Sequence, residues 1–391
     1  MLRFTTAGES HGEALVANLS GLPAGLGIQQ VFMDRELWRR QQGYGRGGRM
    51  RIETDTAHIL SGVRHGHTIG SPIAILIANR DWKNWEESLP VEPGDPAKHK
   101  AVKSPRPGHA DLAGALKYNL PEARYVLERA SARESTARVA AGSIAKLFLR
   151  ELGIEVLSHV IQVGNARLRR AVKWEELVAL AAKDEVLLGC VDAESEQAMK
   201  AEVDVVLRTG DTVGGIFEVV VHNIPPGLGT YAQWDERLDT CLAAAVMSLQ
   251  AVKAVEIGDG VLAASSPGSS IHDEIGYERT GSGFSGFTRA SNHAGGIEGG
   301  VSNGCDLIVR GYLKPISTLR RPLASVDFAT REPVKAAYER SDVCVVPAAG
   351  VAAESMVAIA IATVALDKFG GDSMLETLRN FHGYCEQLKN Y

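Results

Sequence analysis

The sequence has few cysteines, few aromatic residues and no strong charge of either sign. Five cysteines, Cys190, Cys241, Cys305, Cys344 and Cys385, are scattered over 391 residues with no C-x-x-C pair. That spacing argues against a disulfide framework or a zinc site and implies reduced thiols. A formal net charge of -5 argues against general attraction to nucleic acid or to an anionic membrane. The N-terminus runs from Met1 into polar Gly8-Glu9-Ser10-His11 without the apolar stretch of a signal peptide. The most apolar segment, Val351 to Leu366, carries Glu354 and is shorter than a membrane span, so it reads as a buried helix. A cytoplasmic protein with no nucleic-acid, membrane or metal partner is expected. His65 and His67 have no accompanying ligand cluster, and no GxxxxGK[ST] phosphate loop occurs.

Helical spacing and a capping-box pattern, Ser131 to Glu134, predict a helix from about Ala132 to Leu152. A second is expected from Asp235 to Val255 and a shorter one from Asp34 to Gln42, stopped by Gly43. β-branched runs predict an antiparallel pair from Val203–Arg208 and Gly215–His222, with further strands at Ser71–Ala78 and Asp306–Leu313. No linker divides the chain, so residues 1–391 read as a single domain, with 164–200 as a peripheral insertion. Gly21-Leu-Pro-Ala-Gly-Leu-Gly27 resembles Asn223-Ile-Pro-Pro-Gly-Leu-Gly229, and the series Gly62, Gly66, Gly70 is echoed by Gly296, Gly300, Gly304. The order is kept, which points to an internal duplication with two similar β-α-β halves; chance matching of glycine turns is the alternative.

The densest positive feature places Arg39, Arg40, Arg46, Arg49 and Arg51 among Gly43, Gly45, Gly47 and Gly48, with no acidic residue between them. Arginine binds phosphate and carboxylate in a bidentate fork, and glycine lets backbone approach an anion. Two formal GxGxxG matches, Gly43–Gly48 and Gly281–Gly286, lack the strand-turn-helix context of a dinucleotide fold. His11 and His109 sit in glycine-bracketed turns suited to aiming an imidazole into a cleft. Arg124, Arg129, Arg133 and Arg138 surround the predicted helix start at Ser131, a second anion site. Lys314-Pro-Ile-Ser-Thr318 is a third candidate. The residues alone indicate an enzyme that binds multiply anionic small molecules and uses histidine acid–base chemistry.

At this point the sequence closely resembles the chorismate synthase family. The resemblance rests on Thr6–Gly12, Arg39–Arg49, Ser61–Gly66, Arg106–Asp111, Glu128–Glu134, Gly210–Gly215, Gly295–Gly300, Lys314–Thr318 and Glu339–Asp342, in the family's order. It implies an α+β fold, a single-domain β-α-β sandwich of antiparallel sheets and helices. It also implies a lyase that eliminates phosphate from 5-enolpyruvylshikimate 3-phosphate to give chorismate, the last step of the shikimate pathway to aromatic amino acids. The reaction is an anti-1,4 elimination that needs reduced FMN although it is redox-neutral overall. NADPH is a candidate reductant, an external flavin reductase a candidate partner, and a homotetramer the expected assembly.

Carried over by motif, His11 would protonate the leaving phosphate, and His109 would stabilise or protonate the reduced flavin. Asp342 would help remove the ring proton. Ser10, Arg40, Arg46, Arg49, Arg106, Arg133 and Arg340 would bind substrate. The cofactor would take Arg129, Ala130, Ser131, Gln250, Ala251, Gly299, Lys314, Pro315, Ile316, Ser317, Thr318 and Arg340. Arg40 and Arg46 match positions that could equally hold NADP. Gln250, Ala254 and Ser317 depart from the residues frequent in the family. Two competing readings remain, a nicotinamide-dependent dehydrogenase and an RNA-binding module; steep salt dependence of binding would favour the second.

Overall fold

The computed structural model describes residues 2–47, 54–278, 283–339 and 341–391. Two antiparallel sheets enclose a double layer of helices, an α+β arrangement. The first sheet contains β1 (Arg3–Ala7), β2 (Ala14–Ser20), β3 (His58–Ile59) and β4 (Ile73–Ala78), in the order β1-β2-β4-β3. The second contains β5 (Glu155–Val163), β6 (Ala166–Arg167), β7 (Gly215–His222), β8 (Val252–Ile257) and β9 (Leu307–Leu313), in the order β8-β9-β7-β5-β6. Helices α1 (Gln30–Gln41) and α4 (Ser135–Glu151) lie on the first sheet's side. Helices α7 (Leu238–Met247) and α8 (Val346–Phe369) lie on the second's. Between α1 and α4 come α2 (Asp111–Tyr118) and α3 (Arg124–Ala130); α5 (Trp174–Ala181) and α6 (Ala193–Thr209) precede β7, and α9 (Met374–Lys389) ends the chain.

The strand orders match once the halves are aligned: β1, β2, β4, β3 correspond to β5, β7, β9, β8. The repeated glycine turns share their central hydrogen bonds. The Leu26 N–H donates to Thr68 Oγ1 at 2.9 Å and Thr68 Oγ1 donates to the Pro23 carbonyl at 2.6 Å. In the second half the Leu228 N–H donates to Ser302 Oγ at 2.8 Å and Ser302 Oγ donates to the Pro225 carbonyl at 2.7 Å. The Gly25 N–H reaches the Thr68 carbonyl, and the Gly227 N–H reaches the Ser302 carbonyl, both at 2.8 Å. Gly62, Gly66 and Gly70 have positive φ, and so do Gly296, Gly300 and Gly304. Coincident glycine spacing would not reproduce the same hydroxyl bridging the same two backbone groups. The duplication read in the sequence is present in the fold.

The helical layers meet where α4 crosses α8. A Cβ on Gly142 would lie 2.2 Å from the Ser355 Cβ, so only glycine allows this approach. Despite its apolar length, α8 is largely buried against α4 and the second sheet. Its Glu354 is fully buried in an ion network: Arg39 donates to it at 2.6 and 2.7 Å, Lys146 at 2.5 Å, and the Ser158 N–H and Oγ at 2.7 Å each. Lys146 and Arg39 also reach Glu36 at 2.7 and 2.9 Å. Burial alone would raise the Glu36 carboxyl, but the two cations hold it down at about 2.

Three local expectations are corrected. Val203–Arg208 is not a strand but the end of α6, which Asp192 caps and Gly210 stops in a left-handed conformation. Met199 and Val203, four residues apart, are its buried positions, a helical spacing that the β-branched run obscured. The helix expected over Asp235–Val255 ends at Met247, and Val252–Ile257 is β8; Ala251 at φ 70° turns the chain between them. No reciprocal capping box forms at Ser131. Its hydroxyl accepts from the Arg133 N–H in a short 3-10 turn, while Glu134 pairs with Thr6, Arg138 and Gln250. The shorter helix, and the strands at Ile73–Ala78 and Leu307–Leu313, lie where expected.

Candidate functional site

The site forms where equivalent ends of the two halves face each other. From the first half come the β1–β2 turn, Asn79 after β4, and the start of α4. From the second come the loop before β8, the segment after β9, and the start of α8.

The β1–β2 turn carries Ser10 and His11. It is tied to α3 by the Ser10 N–H donating to the Glu128 carbonyl at 2.8 Å, and Ser10 Oγ lies 3.1 Å from Ser131 Oγ. The His11 N–H donates to Glu128 Oε2, and His11 Nδ1 lies against Glu128 Oε1, both at 2.8 Å. Trp85 stacks on the imidazole at 3.9 Å between ring centroids.

Beside them three arginines converge. Arg133 is held by Asp55 at 2.6 Å and by Asn79 Oδ1 at 2.8 Å. Arg40 donates to Ser135 Oγ at 2.9 Å and to the Ala132 carbonyl at 2.8 Å. Its Nη1 is buried with no hydrogen-bond partner among the described residues. Burial, with Arg46 and Arg133 nearby, pushes the Arg40 guanidinium down to about 9, so the cluster gains from a bound anion. Arg46 Nε lies 3.4 Å from Asp342 Oδ2, and Asp342 Oδ1 accepts from the Gly47 N–H at 2.6 Å. Gly45 and Tyr44 tie this loop to two other segments. The Gly45 carbonyl accepts from the Val343 N–H at 2.8 Å, and the Tyr44 hydroxyl donates to Asp204 of α6 at 2.6 Å. The 164–214 segment, which fills the place of the short β1–β2 turn in the second half, thus braces the arginine-glycine loop.

His109 belongs to a neighbouring group. Its Nδ1 lies 2.5 Å from Asp111 Oδ1, and Asp111 also accepts from Arg106 Nε at 2.8 Å. Arg106 Nη1 donates to Thr318 Oγ1 at 2.9 Å, which joins this turn to the segment after β9. Within that segment Lys314 Nζ donates to Ser317 Oγ at 2.9 Å, and the Ile316 carbonyl accepts from Thr212 Oγ1 at 2.7 Å. The Lys314 N–H donates to the Ala251 carbonyl at 3.0 Å, which brings Ala251 alongside. Burial and Lys253 push the Lys314 ammonium below its ordinary value, another cation suited to an anionic ligand. Gln250 reaches Glu134 at 3.0 Å, and Arg129 donates to the Gly8 and Thr6 carbonyls at 3.1 and 3.0 Å. An open cavity of about 400 Å³ borders Arg129, Glu134 and Arg138.

The structure therefore gathers Ser10, His11, Arg40, Arg46, Arg133, Asp342, Ser131 and its neighbours Arg129 and Ala130 into one cluster. Arg106, His109, Ala251 and Lys314 to Thr318 form a second, and Gln250 leans toward the first. Arg49 and Arg340 lie outside the described residues. Gly299 is not brought in. It sits on a hairpin packed at the Leu307 end of β9, whereas Lys314–Thr318 leave the other end, a strand length of roughly 20 Å away. Arg39, adjacent to Arg40, faces the buried carboxylates instead of the site. Glu128, Trp85, Asn79 and Asp55 were not assigned roles from the sequence. Glu128 lay within a matched motif; nothing along the chain links Trp85 to His11.

Comparison with known proteins identifies the family. The family model for chorismate synthase matches residues 2–366. Over the whole of both chains, the protein is 77% identical to the chorismate synthase of Koribacter versatilis and 71% identical to that of Acidobacterium capsulatum. A crystal structure of chorismate synthase superposes with a TM-score of 0.79 at 40% identity, covering 100% of this chain and 99% of the other. The chain with this fold, these paired histidine turns and this arginine cluster belongs to the chorismate synthase family.

Proposed function

We propose that the two clusters divide the family's reaction between them, with His11, Arg40, Arg46 and Arg133 around the leaving phosphate and His109 and Lys314–Thr318 around reduced FMN. The protein is a lyase. Phosphate leaves 5-enolpyruvylshikimate 3-phosphate as its C–O bond breaks, a ring hydrogen is lost as a proton, and the second ring double bond of chorismate forms. Electrons balance without net oxidation. The observation that carries the assignment of sites is the crowding of Arg40, Arg46 and Arg133 around a buried guanidinium N–H with no partner among the described residues.

In this reading His11 delivers a proton to the phosphate oxygen as the bond breaks, because an unprotonated phosphate dianion leaves poorly from a site sheltered from water. Ser10 orients a substrate oxygen. Arg106 buttresses the site through Asp111 and Thr318, and Asp342, held by Gly47 and Arg46, accepts the ring proton. Arg49 and Arg340 complete the substrate clamp. The FMN would be held by Arg129, Ala130, Ser131, Gln250, Ala251 and Lys314 to Thr318, with His109 stabilising or protonating its reduced form. Reduced FMN bound there would supply electron density that eases phosphate departure.

Gly299, roughly a strand length from Lys314–Thr318, would join the cofactor from another copy of the chain in the proposed homotetramer. We place the protein in the cytoplasm as a single domain, with an external flavin reductase or NADPH, through Arg40 and Arg46, as the alternatives for keeping FMN reduced. Anaerobic turnover with chemically reduced FMN, compared with oxidised FMN plus NADPH, tests this division. Activity in the first mixture alone supports an external reductant. Activity in the second assigns flavin reduction to this chain. Inactivity in both removes the FMN assignment.

A further inference from the structure

We propose that Glu128 is the positioning carboxylate of His11: it fixes which ring nitrogen exchanges a proton with substrate, and Trp85 fixes the plane in which that nitrogen points. The proposal rests on the reading of His11 as the acid of the elimination and adds to it the group that sets its tautomer.

The geometry is specific. One carboxylate takes both N–H groups of a single residue, the backbone N–H on Oε2 and the ring Nδ1 on Oε1, each at 2.8 Å. The carbonyl of the same residue accepts the Ser10 N–H at 2.8 Å, so three bonds from Glu128 hold the turn. The carboxylate is 4% exposed and the imidazole 11%, so water competes little for these bonds. Arg124 is the other cation near Glu128, but its closer bonds go elsewhere. It donates to the Lys100 carbonyl and to Glu339 at 2.7 Å each, and its contact with Glu128 is 3.4 Å. Burial alone would raise the Glu128 carboxyl, yet the bonds from His11, and then Arg124, bring it below its ordinary value. The group is an ionised acceptor turned toward His11.

An ionised carboxylate has no proton to give, so the proton between it and the ring stays on Nδ1. The proton handled at the substrate is then the one on Nε2. A histidine whose second nitrogen is engaged by a carboxylate is held in one tautomer and one orientation. Trp85 supplies the remaining restraint. Its indole stacks on the imidazole at 29° between planes, its Nε1 donates to Asp81 at 3.0 Å, and Lys100 and Arg124 lie 4.1 and 5.2 Å from its ring.

Glu128→Gln turns this arrangement into a test. The amide oxygen must stay on the His11 backbone N–H, which only an acceptor satisfies. The amide NH2 then faces Nδ1 and requires a lone pair there. The neutral ring moves its proton to Nε2, and the imidazolium, with N–H on both nitrogens, meets a donor. The proton-loaded acid is thereby disfavoured. Turnover should fall about 10²–10⁴-fold, the range for loss of a general acid, with about 10⁴ the loss that a wrong histidine tautomer produces elsewhere. KM should change little.

The experiment pairs kinetics with 15N spectra of histidine-labelled full-length protein, His11→Ala serving to assign the His11 signals. In the unsubstituted enzyme the neutral His11 ring should carry its proton on Nδ1; a proton on Nε2 overturns the proposal whether or not any variant folds. Glu128→Gln should show the opposite tautomer and the loss in kcat, and should add no further loss in the His11→Ala background. An inactive His11→Ala beside a fully active Glu128→Gln removes Glu128 and leaves His11 in place. A folded His11→Ala with near-normal turnover removes His11, and the proposal with it.

Discussion

Replacing Glu354 with glutamine should cost this protein more than any other single loss of charge in the helical layers. The carboxylate is fully buried and accepts from Arg39, Lys146 and Ser158. Without its charge, Arg39 and Lys146 would share only Glu36, leaving one buried positive charge without a counterpart. Breaking a buried pair in this way costs about 3–5 kcal/mol. Unfolding entropy near the midpoint is about 2.1 cal/mol/K per residue, or about 0.8 kcal/mol/K for a chain of 391 residues. The variant should therefore melt about 4–6 °C lower, read by differential scanning calorimetry at pH 7. Adding Lys146→Met removes the excess cation and should return part of that loss. A Glu354→Gln protein that melts within about 1 °C of the parent, a shift too small for this mechanism, would refute the charge-balance argument. So would a double variant that is worse than the sum of its parts.

Acid should act through the same carboxylates. Glu36, held at about 2, and Glu354, Glu128, Glu134 and Asp111, all below their ordinary values, contribute stability that is complete above the unfolded carboxylate range near pH ~4.3. That stability is lost as pH falls from there toward ~2, so the melting temperature should stay level from pH ~7 to ~5 and then drop steeply; a fall confined to pH ~7–5 would contradict this. Gly142→Ala puts a methyl group into Ser355 and should destabilise by about 1–3 kcal/mol in chemical denaturation, whereas an unchanged midpoint would show that the α4–α8 crossing is loosely packed. His109→Ala should alter the spectrum of bound reduced FMN as well as turnover. His11→Ala should leave that spectrum alone and lower kcat about 10²–10⁴-fold, and identical effects on both would undo the division of roles.

The sequence carried the duplication and most of the residues that the structure gathers into the two clusters because both are written in short, contiguous motifs. Turns such as Gly21–Gly27 and Asn223–Gly229 share positive φ at Gly21 and Asn223 and at Gly25 and Gly227, so their spacing survives in the chain. The errors fell where the deciding contact is distant. Arg39 and Arg40 look alike in sequence, yet one meets Glu354 and the other Ser135, and only the facing of α1 separates them. Glu134 has the spacing of a capping box, but Arg138, Thr6 and Gln250 take its carboxylate. Ala251 ends the run toward β8 with a backbone conformation that no residue pattern announces. Gly299 carries its motif faithfully and still sits roughly a strand length from its expected partners, because a motif says nothing of the distance between itself and the other motifs.

The most direct test of the account is a stoichiometry. Purified protein should be mixed anaerobically with 5-enolpyruvylshikimate 3-phosphate and chemically reduced FMN, and chorismate, phosphate and flavin redox state should be followed together. Chorismate and phosphate should appear in equal amounts while the flavin ends the reaction as reduced as it began. Flavin oxidised in step with product, or phosphate released without chorismate, would contradict the redox-neutral elimination assigned to this site.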